Sequence, residues 1–170
     1  MNTAQLLEDG FGRVVDSVER TLDGLDETQL TYRPTPEANS IAWLVWHLTR
    51  VQDDHLADAF DVEQVYTTQG FAQQLGECFP HEPGDTGYGH SAEQVAAVRS
   101  PAELLSEYLQ AVHAQTVALT ADVTDADLDR VVDERWDPPV TLGVRLVSVL
   151  DDDLEHAGQA AYLRGILPST

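Results

Sequence analysis

Apolar residues in this chain recur at helical spacing and almost nowhere at the two-residue spacing of a strand, which confines it to an all-α fold. Leu6, Leu7, Phe11, Val14, Val15, Val18 and Leu22 mark one face of a first helix from about Asn2 to Leu25. A second helix is expected from about Ser40 to Phe60, with Asn39 or Ser40 as its N-cap. Ser100-Pro101-Ala102-Glu103 reads as an N-cap, a proline at the first helical position and acidic support, opening a third helix to about Ala121. Trp136-Asp137-Pro138-Pro139 then breaks the chain, and Thr141 caps a last helix to about Arg164. Four amphipathic helices with mixed short and long connections predict a four-helix bundle. At this length one domain spanning residues 1–170 is expected.

The connections are uneven. Between the second and third helices, residues 61 to 92 carry Gly70, Gly76, Pro80, Pro83, Gly84, Gly87 and Gly89, with Tyr66, Phe71, Phe79 and Tyr88 among them. A long irregular connection of this kind is usually functional or mobile. It is expected to cover one end of the fold. Ser91 to Val98 reads as a short helix, and Thr124-Asp125-Ala126-Asp127 as the cap of another.

Charge narrows the partners. The chain has no lysine and a formal net charge of −21. Such a field repels nucleic acid and anionic membrane, so neither is expected as a partner. No apolar run approaches the ~18 residues of a membrane span. Met1 to Gly10 shows no basic region followed by an apolar block, so no signal peptide is read and the cytoplasm is the expected location. Cys78 is the only cysteine, expected as an ordinary small side chain. The acidity itself is read as solubility, so any argument for a specific cation site rests on spacing.

That spacing exists in the last helix. Asp152 and His156 are four residues apart, share a face and can grip one cation together. A third ligand from another helix would complete a three-ligand site with open positions for water or substrate. On the helical wheel Leu142, Leu146, Val149, His156, Ala160 and Leu163 form the inward stripe, Asp153 points inward and Asp152 lies nearer the edge. A neutral histidine–aspartate hydrogen bond is the competing reading of this pair, and either carboxylate is open as the ligand. In the second helix Ile41, Leu44, Leu48 and Val51 define the apolar stripe. His55 falls near its centre and His47 at its edge, so periodicity makes His55 the more inward. Asp54 shares the edge with His47 and is a candidate acceptor behind it. His113 is expected to be partly exposed, and His81 and His90 have no partner at ligand spacing. Serine nucleophile signatures, phosphate-cradling glycine loops and paired zinc-ligand cysteines are absent.

Ser40-Ile41-Ala42-Trp43-Leu44-Val45-Trp46-His47-Leu48, with His156-Ala157-Gly158-Gln159-Ala160-Ala161-Tyr162-Leu163-Arg164-Gly165, resembles the DinB-like superfamily. The likeness extends through Gly87-Tyr88-Gly89-His90, residues 128–133 and residues 136–141, and covers most of the chain. It looks closest to the group of mycothiol-dependent transferases and maleylpyruvate isomerases. The resemblance implies a four-helix bundle, often a homodimer. It implies a metal triad of His47, Asp152 and His156, with aspartate where the common pattern has histidine. It implies a divalent transition metal, zinc or nickel, and a low-molecular-weight thiol as co-substrate. The expected activity is thiol S-transfer onto a small-molecule electrophile in detoxification or stress. The alternatives are a thiol-dependent isomerase of a small organic acid, which would want arginines such as Arg50, Arg145 or Arg164 at the pocket, and a non-catalytic binding protein. Gln159 and Arg164 are read as contacts behind the ligands or at the helix end.

Overall fold

Helices in this chain begin where a side chain can take up the free amides of the first turn. In the computed structural model, which describes residues 1–82 and 84–168, α1 (Thr3–Leu22) follows Asn2. The Asn2 side chain accepts from the Gln5 amide and the Gln5 side chain accepts from the Asn2 amide, a capping box. The helix stops at Leu22, short of the expected Leu25, because Gly24 turns the chain at φ 70°. Asp26 then caps a separate turn, α2 (Glu27–Leu30). Ser40 caps α3 (Ile41–Phe60) by accepting from the Trp43 amide at 3.2 Å. The long connection carries α4 (Val65–Thr68), α5 (Phe71–Cys78) and α6 (Ala92–Ala97), the last capped by Ser91 as expected.

The third long helix, α7 (Ala102–Thr120), starts one residue later than the sequence suggested. Pro101 is still extended and its carbonyl accepts the Leu105 amide, so Pro101 and not Ser100 is the N-cap. After it, Asp127–Asp129 form a 3-10 turn in place of the expected short helix. A ladder that alternation could not announce, β1 (Val131–Asp133) paired antiparallel with β2 (Val140–Thr141), leads into α8 (Leu142–Gly165). Thr141 caps α8, accepting from the Val144 amide. Pro83, one of the residues expected to punctuate the connection, lies outside the described residues, as do Ser169 and Thr170.

The long helices pack as a four-helix bundle. Gly10 lies against Leu150, and Arg164 donates to the carbonyls of Thr21 and Asp23, so α1 and α8 run parallel. His47 meets His156 while His55 meets Arg145, so α3 runs antiparallel to α8. Gln52 donates to Thr116 at 2.7 Å and Arg50 to the Tyr108 hydroxyl at 3.0 Å, tying α3 to α7. The hydroxyl of Ser106 donates to Glu19 at 2.6 Å and ties α7 to α1. This up-down-down-up order puts α3 and α7 side by side in the same direction, and the chain between them must travel back along the bundle. That return path is the long connection.

The return path also covers α3. Tyr66, Phe71, Leu75, Phe79, Val95 and Val98 join Trp43 and Trp46 in one core, and 16 of the 20 residues of α3 are buried. Each large apolar side chain buried there stabilises the fold by roughly 1.5–3 kcal/mol. A polar strap fixes the start of α4 onto α3. The Asp53 carboxylate accepts from the amides of Val65 and Tyr66 and from the Tyr108 hydroxyl, at 2.8 to 2.9 Å. Arg50 lies 3.7 Å from the same carboxylate, fully buried, with its guanidinium over the Tyr66 ring. Among the described residues no helix is long and apolar enough to cross a membrane.

Candidate metal centre

His47 is one turn after Trp43 on α3, and the two rings stack with centroids 4.5 Å apart. It is 5% exposed. The Thr86 carbonyl can only accept, so the short contact to His47 Nδ1 means that Nδ1 carries the hydrogen and Nε2 presents its lone pair. Burial pushes the His47 imidazole down, and the Thr86 carbonyl pulls it partly back. His156 is arranged the same way from the other side. Its Nδ1 faces Gln159 Oε1 at 3.0 Å, which leaves Nε2 free, and its ring meets His47 with centroids 4.8 Å apart.

Asp152 completes the group. Ligand atoms of His47, Asp152 and His156 all lie within 4.8 Å of one another. The competing reading of the pair, a neutral histidine–aspartate hydrogen bond, is not formed: Asp152 Oδ1 is 3.6 Å from His156 Nε2, too long for one. Asp152 Oδ2 is buried without any hydrogen-bond partner. A carboxylate oxygen removed from water and left unpaired is costly, and a cation removes that cost. Two imidazoles with Nε2 turned inward and one carboxylate form a donor set that would suit a divalent transition metal. Asp152 and His156 are each partly exposed, so the group opens to solvent on one side.

Asp153 does not join them. It sits on the inward stripe of α8, wholly buried, with neither oxygen partnered. Burial, and then the neighbouring Asp152 charge, pushes its carboxyl well above the usual range.

The fourth wall is the loop of residues 85–90, part of the glycine-rich connection expected to cover one end of the fold, which instead packs along α3. Gly87 has φ 91°, and a Cβ there would meet Trp46 at 2.9 Å, His47 Nδ1 at 3.0 Å and Trp43 at 3.1 Å. Only glycine lets the backbone come so close. The Asp85 carboxylate accepts from the Gly87 amide at 2.8 Å and from His90 Nε2–H at 2.7 Å. His90 Nδ1 in turn accepts from Trp43 Nε1–H at 3.1 Å. Arg50 Nε–H donates to the Asp85 carbonyl at 3.1 Å.

Several expectations need correction. His55 is not the more inward histidine of α3; its side chain is 39% exposed and faces Asp54 and Arg145. The wheel misled because α3 is enclosed nearly all round, and the edge occupied by His47 is the one that loop 85–90 covers. Asp54 does not stand behind His47; it accepts from Gln64 at 2.8 Å. His90 has partners after all, in Asp85 and Trp43, and the signal for it was Gly87-Tyr88-Gly89-His90 read together with Trp43 one turn before His47. His81 lies between the Tyr66 hydroxyl and the Phe79 carbonyl. His113 is half-buried on α7, apart from the triad. Gln159 does stand behind His156, whereas Arg164 ties α8 to the end of α1. Arg145 is held by Asp133 at 2.9 Å. The Cys78 thiol is pushed up by burial and is a poor nucleophile, as its sequence context suggested.

Comparison with known proteins bears on this group. The family model described as mycothiol-S-transferase matches residues 6–168. A crystal structure described as a conserved protein from Enterococcus faecalis is similar at a TM-score of 0.87, with 32% sequence identity, covering 96% of this chain and 96% of that one. No curated protein matches the sequence.

Proposed function

Because this chain belongs to the mycothiol S-transferase family, we propose that it transfers a low-molecular-weight thiol of the mycothiol type onto a small electrophile, with a divalent transition metal, zinc or nickel, held by His47, Asp152 and His156. The observation that carries the metal is the convergence of the three side chains with both Nε2 atoms free and Asp152 Oδ2 buried and unpaired. When bound, such a cation supplies a Lewis acid that keeps a thiol sulfur ionised near neutral pH.

The chain's own residues do the rest. Thr86 and Gln159 each take the Nδ1–H of one imidazole, which fixes the tautomer and the ring plane before any ion arrives. Trp43 lies flat on His47 and edge-on to His156, excluding water from that side. The partly exposed side of Asp152 and His156 is where thiol and electrophile enter. A carbon–sulfur bond forms to the electrophile, its leaving group departs with the electron pair, and the thiol proton passes to water. Detoxification or stress response is the setting that fits, in the cytoplasm. A homodimer would close on the exposed apolar stripe of α8, made by Val144, Val147, Leu154 and Tyr162. The isomerase reading is weaker, since Arg145 and Arg164 are both engaged elsewhere.

Metal analysis of untagged protein tests the proposal. About one transition metal per chain is expected in the wild type, lost in His47→Ala, Asp152→Ala and His156→Ala and kept in Asp153→Asn. Transfer of a thiol to a chromogenic electrophile should follow the metal content. Wild-type protein that takes up no metal after incubation with zinc, nickel and manganese would sink the metal reading and favour a non-catalytic binding protein.

A further inference from the structure

We infer that His90, acting through Asp85 and Trp43, is the positioning residue that holds His47 in the tautomer and orientation its Nε2 needs. This inference rests on the metal reading for its purpose, but its geometry stands by itself.

Two arms run from Asp85 and both end on His47. In the first, one carboxylate oxygen accepts from the Gly87 amide. That contact shapes the turn in which the Thr86 carbonyl faces His47 Nδ1. In the second, the other oxygen accepts from His90 Nε2–H. The proton on Nε2 leaves His90 Nδ1 as an acceptor, and it takes the indole N–H of Trp43. That bond sets the plane of the indole, which stacks on the His47 ring at an interplanar angle of 18°. His90 therefore links the loop to the ring lying on His47. Its side chain is 7% exposed, and it also stacks on Trp46 with centroids 5.6 Å apart. Both of its ring nitrogens are committed to a directed bond, so a carboxylate, which only accepts, cannot replace it, and a hydroxyl, which donates and accepts at a single atom, does not offer the two separate atoms that the imidazole does. A glutamine can replace it, because its amide donates at one atom and accepts at the other.

Without His90 the Trp43 N–H is left unpaired and Asp85 keeps only the Gly87 amide. The loop then keeps the Arg50 bond to the Asp85 carbonyl but loses its tie to Trp43, and the Thr86 carbonyl is held less firmly against His47. His47 would exchange between its two tautomers, and Nε2 would carry a hydrogen for part of the time. A partner bonded directly to a ligand changes metal affinity by about ten- to a hundredfold when removed, and His90 stands one step further back, acting on His47 through the Thr86 turn and the Trp43 ring.

The test uses full-length wild type, His90→Ala and His90→Gln, stripped of metal. Nitrogen-15 histidine spectra, assigned for His47 with a His47→Gln control, read the tautomer directly. Cobalt titration then reads affinity and the visible absorption of the bound ion. Wild type is expected to hold His47 with hydrogen on Nδ1. His90→Ala should show mixed tautomers, cobalt binding weaker by up to about tenfold, the lower end for a partner behind a ligand, and an altered visible band, and His90→Gln should restore all three. Unchanged His47 spectra and cobalt binding in His90→Ala overturn the inference while leaving the metal site intact. Equal loss in the alanine and glutamine variants, in step with their melting temperatures, overturns it in favour of a packing role. If wild type binds no cobalt but the tautomer still shifts in His90→Ala and recovers in His90→Gln, the inference holds and the metal reading fails.

Discussion

Asp133 is the most heavily held carboxylate at the foot of α8. It accepts from the side chain and amide of Arg135 and from Arg145, all at 2.8 to 2.9 Å. The Arg135 hydrogen bonds, with the charges of Arg135 and Arg145, hold its carboxyl far below the usual range. The unfolded chain therefore takes up this proton first, near pH 3.9. The stability contributed by Asp133 is complete above that value and is lost as the pH falls below it. Asp133→Asn should melt lower than wild type at pH 7, and the gap should narrow as melts are taken down to pH 3. A gap that stays constant with pH would show that charge has no part in it. At this scale the sequence was a partial guide. The spacing of Asp152 and His156 shows in the letters, because two residues four apart on a helix are neighbours whatever surrounds them. Helical periodicity does not choose between His47 and His55, because that depends on which edge of α3 a distant loop covers, and only the resemblance of the Trp46-His47-Leu48 segment points to His47.

The element that turns histidines into a site is the loop of residues 85–90. Gly87 is its closest approach to α3, in a left-handed conformation with no room for a Cβ. Gly87→Ala should cost about 2–3 kcal/mol, combining backbone strain with displacement of packed indole and imidazole rings. Gly89, at φ 75° with nothing within reach of a Cβ, should cost only about 1 kcal/mol when changed to alanine. Chemical denaturation of the two variants measures the difference. Equal losses would mean that the loop does not sit tightly on Trp43, Trp46 and His47. The long helices were legible because their apolar periodicity and caps are local. The loop's seat was not, since it is fixed by contacts between residues some forty positions apart. The β1–β2 ladder escaped for a different reason, being too short to show an alternation.

For the molecule as a whole, the charge of −21 sets the field in which everything else operates. Like charges repel more in the compact state than in the expanded one, and dissolved salt screens them over about 10 Å at 0.1 M. The melting temperature should therefore rise between 10 mM and 300 mM sodium chloride. A fall over that range would mean that favourable ion pairs, such as Asp133 with Arg145, outweigh the general repulsion. The bundle architecture was readable from four periodic stretches, whereas its up-down-down-up order emerges only from which side chains meet. That order has a consequence for how the protein comes into being. Helix α3 is complete once residue 60 is made, yet the helix that covers it with His156 and Ala157 ends at residue 165. At ribosomal speeds of about 5–20 residues per second, α3 waits roughly 5–20 s for its last neighbour. During that interval a segment bearing two tryptophans, destined for enclosure on nearly every side, has no permanent cover. The nascent chain is thus a natural client for whatever shields apolar helices in the cell, long before it has a substrate of its own.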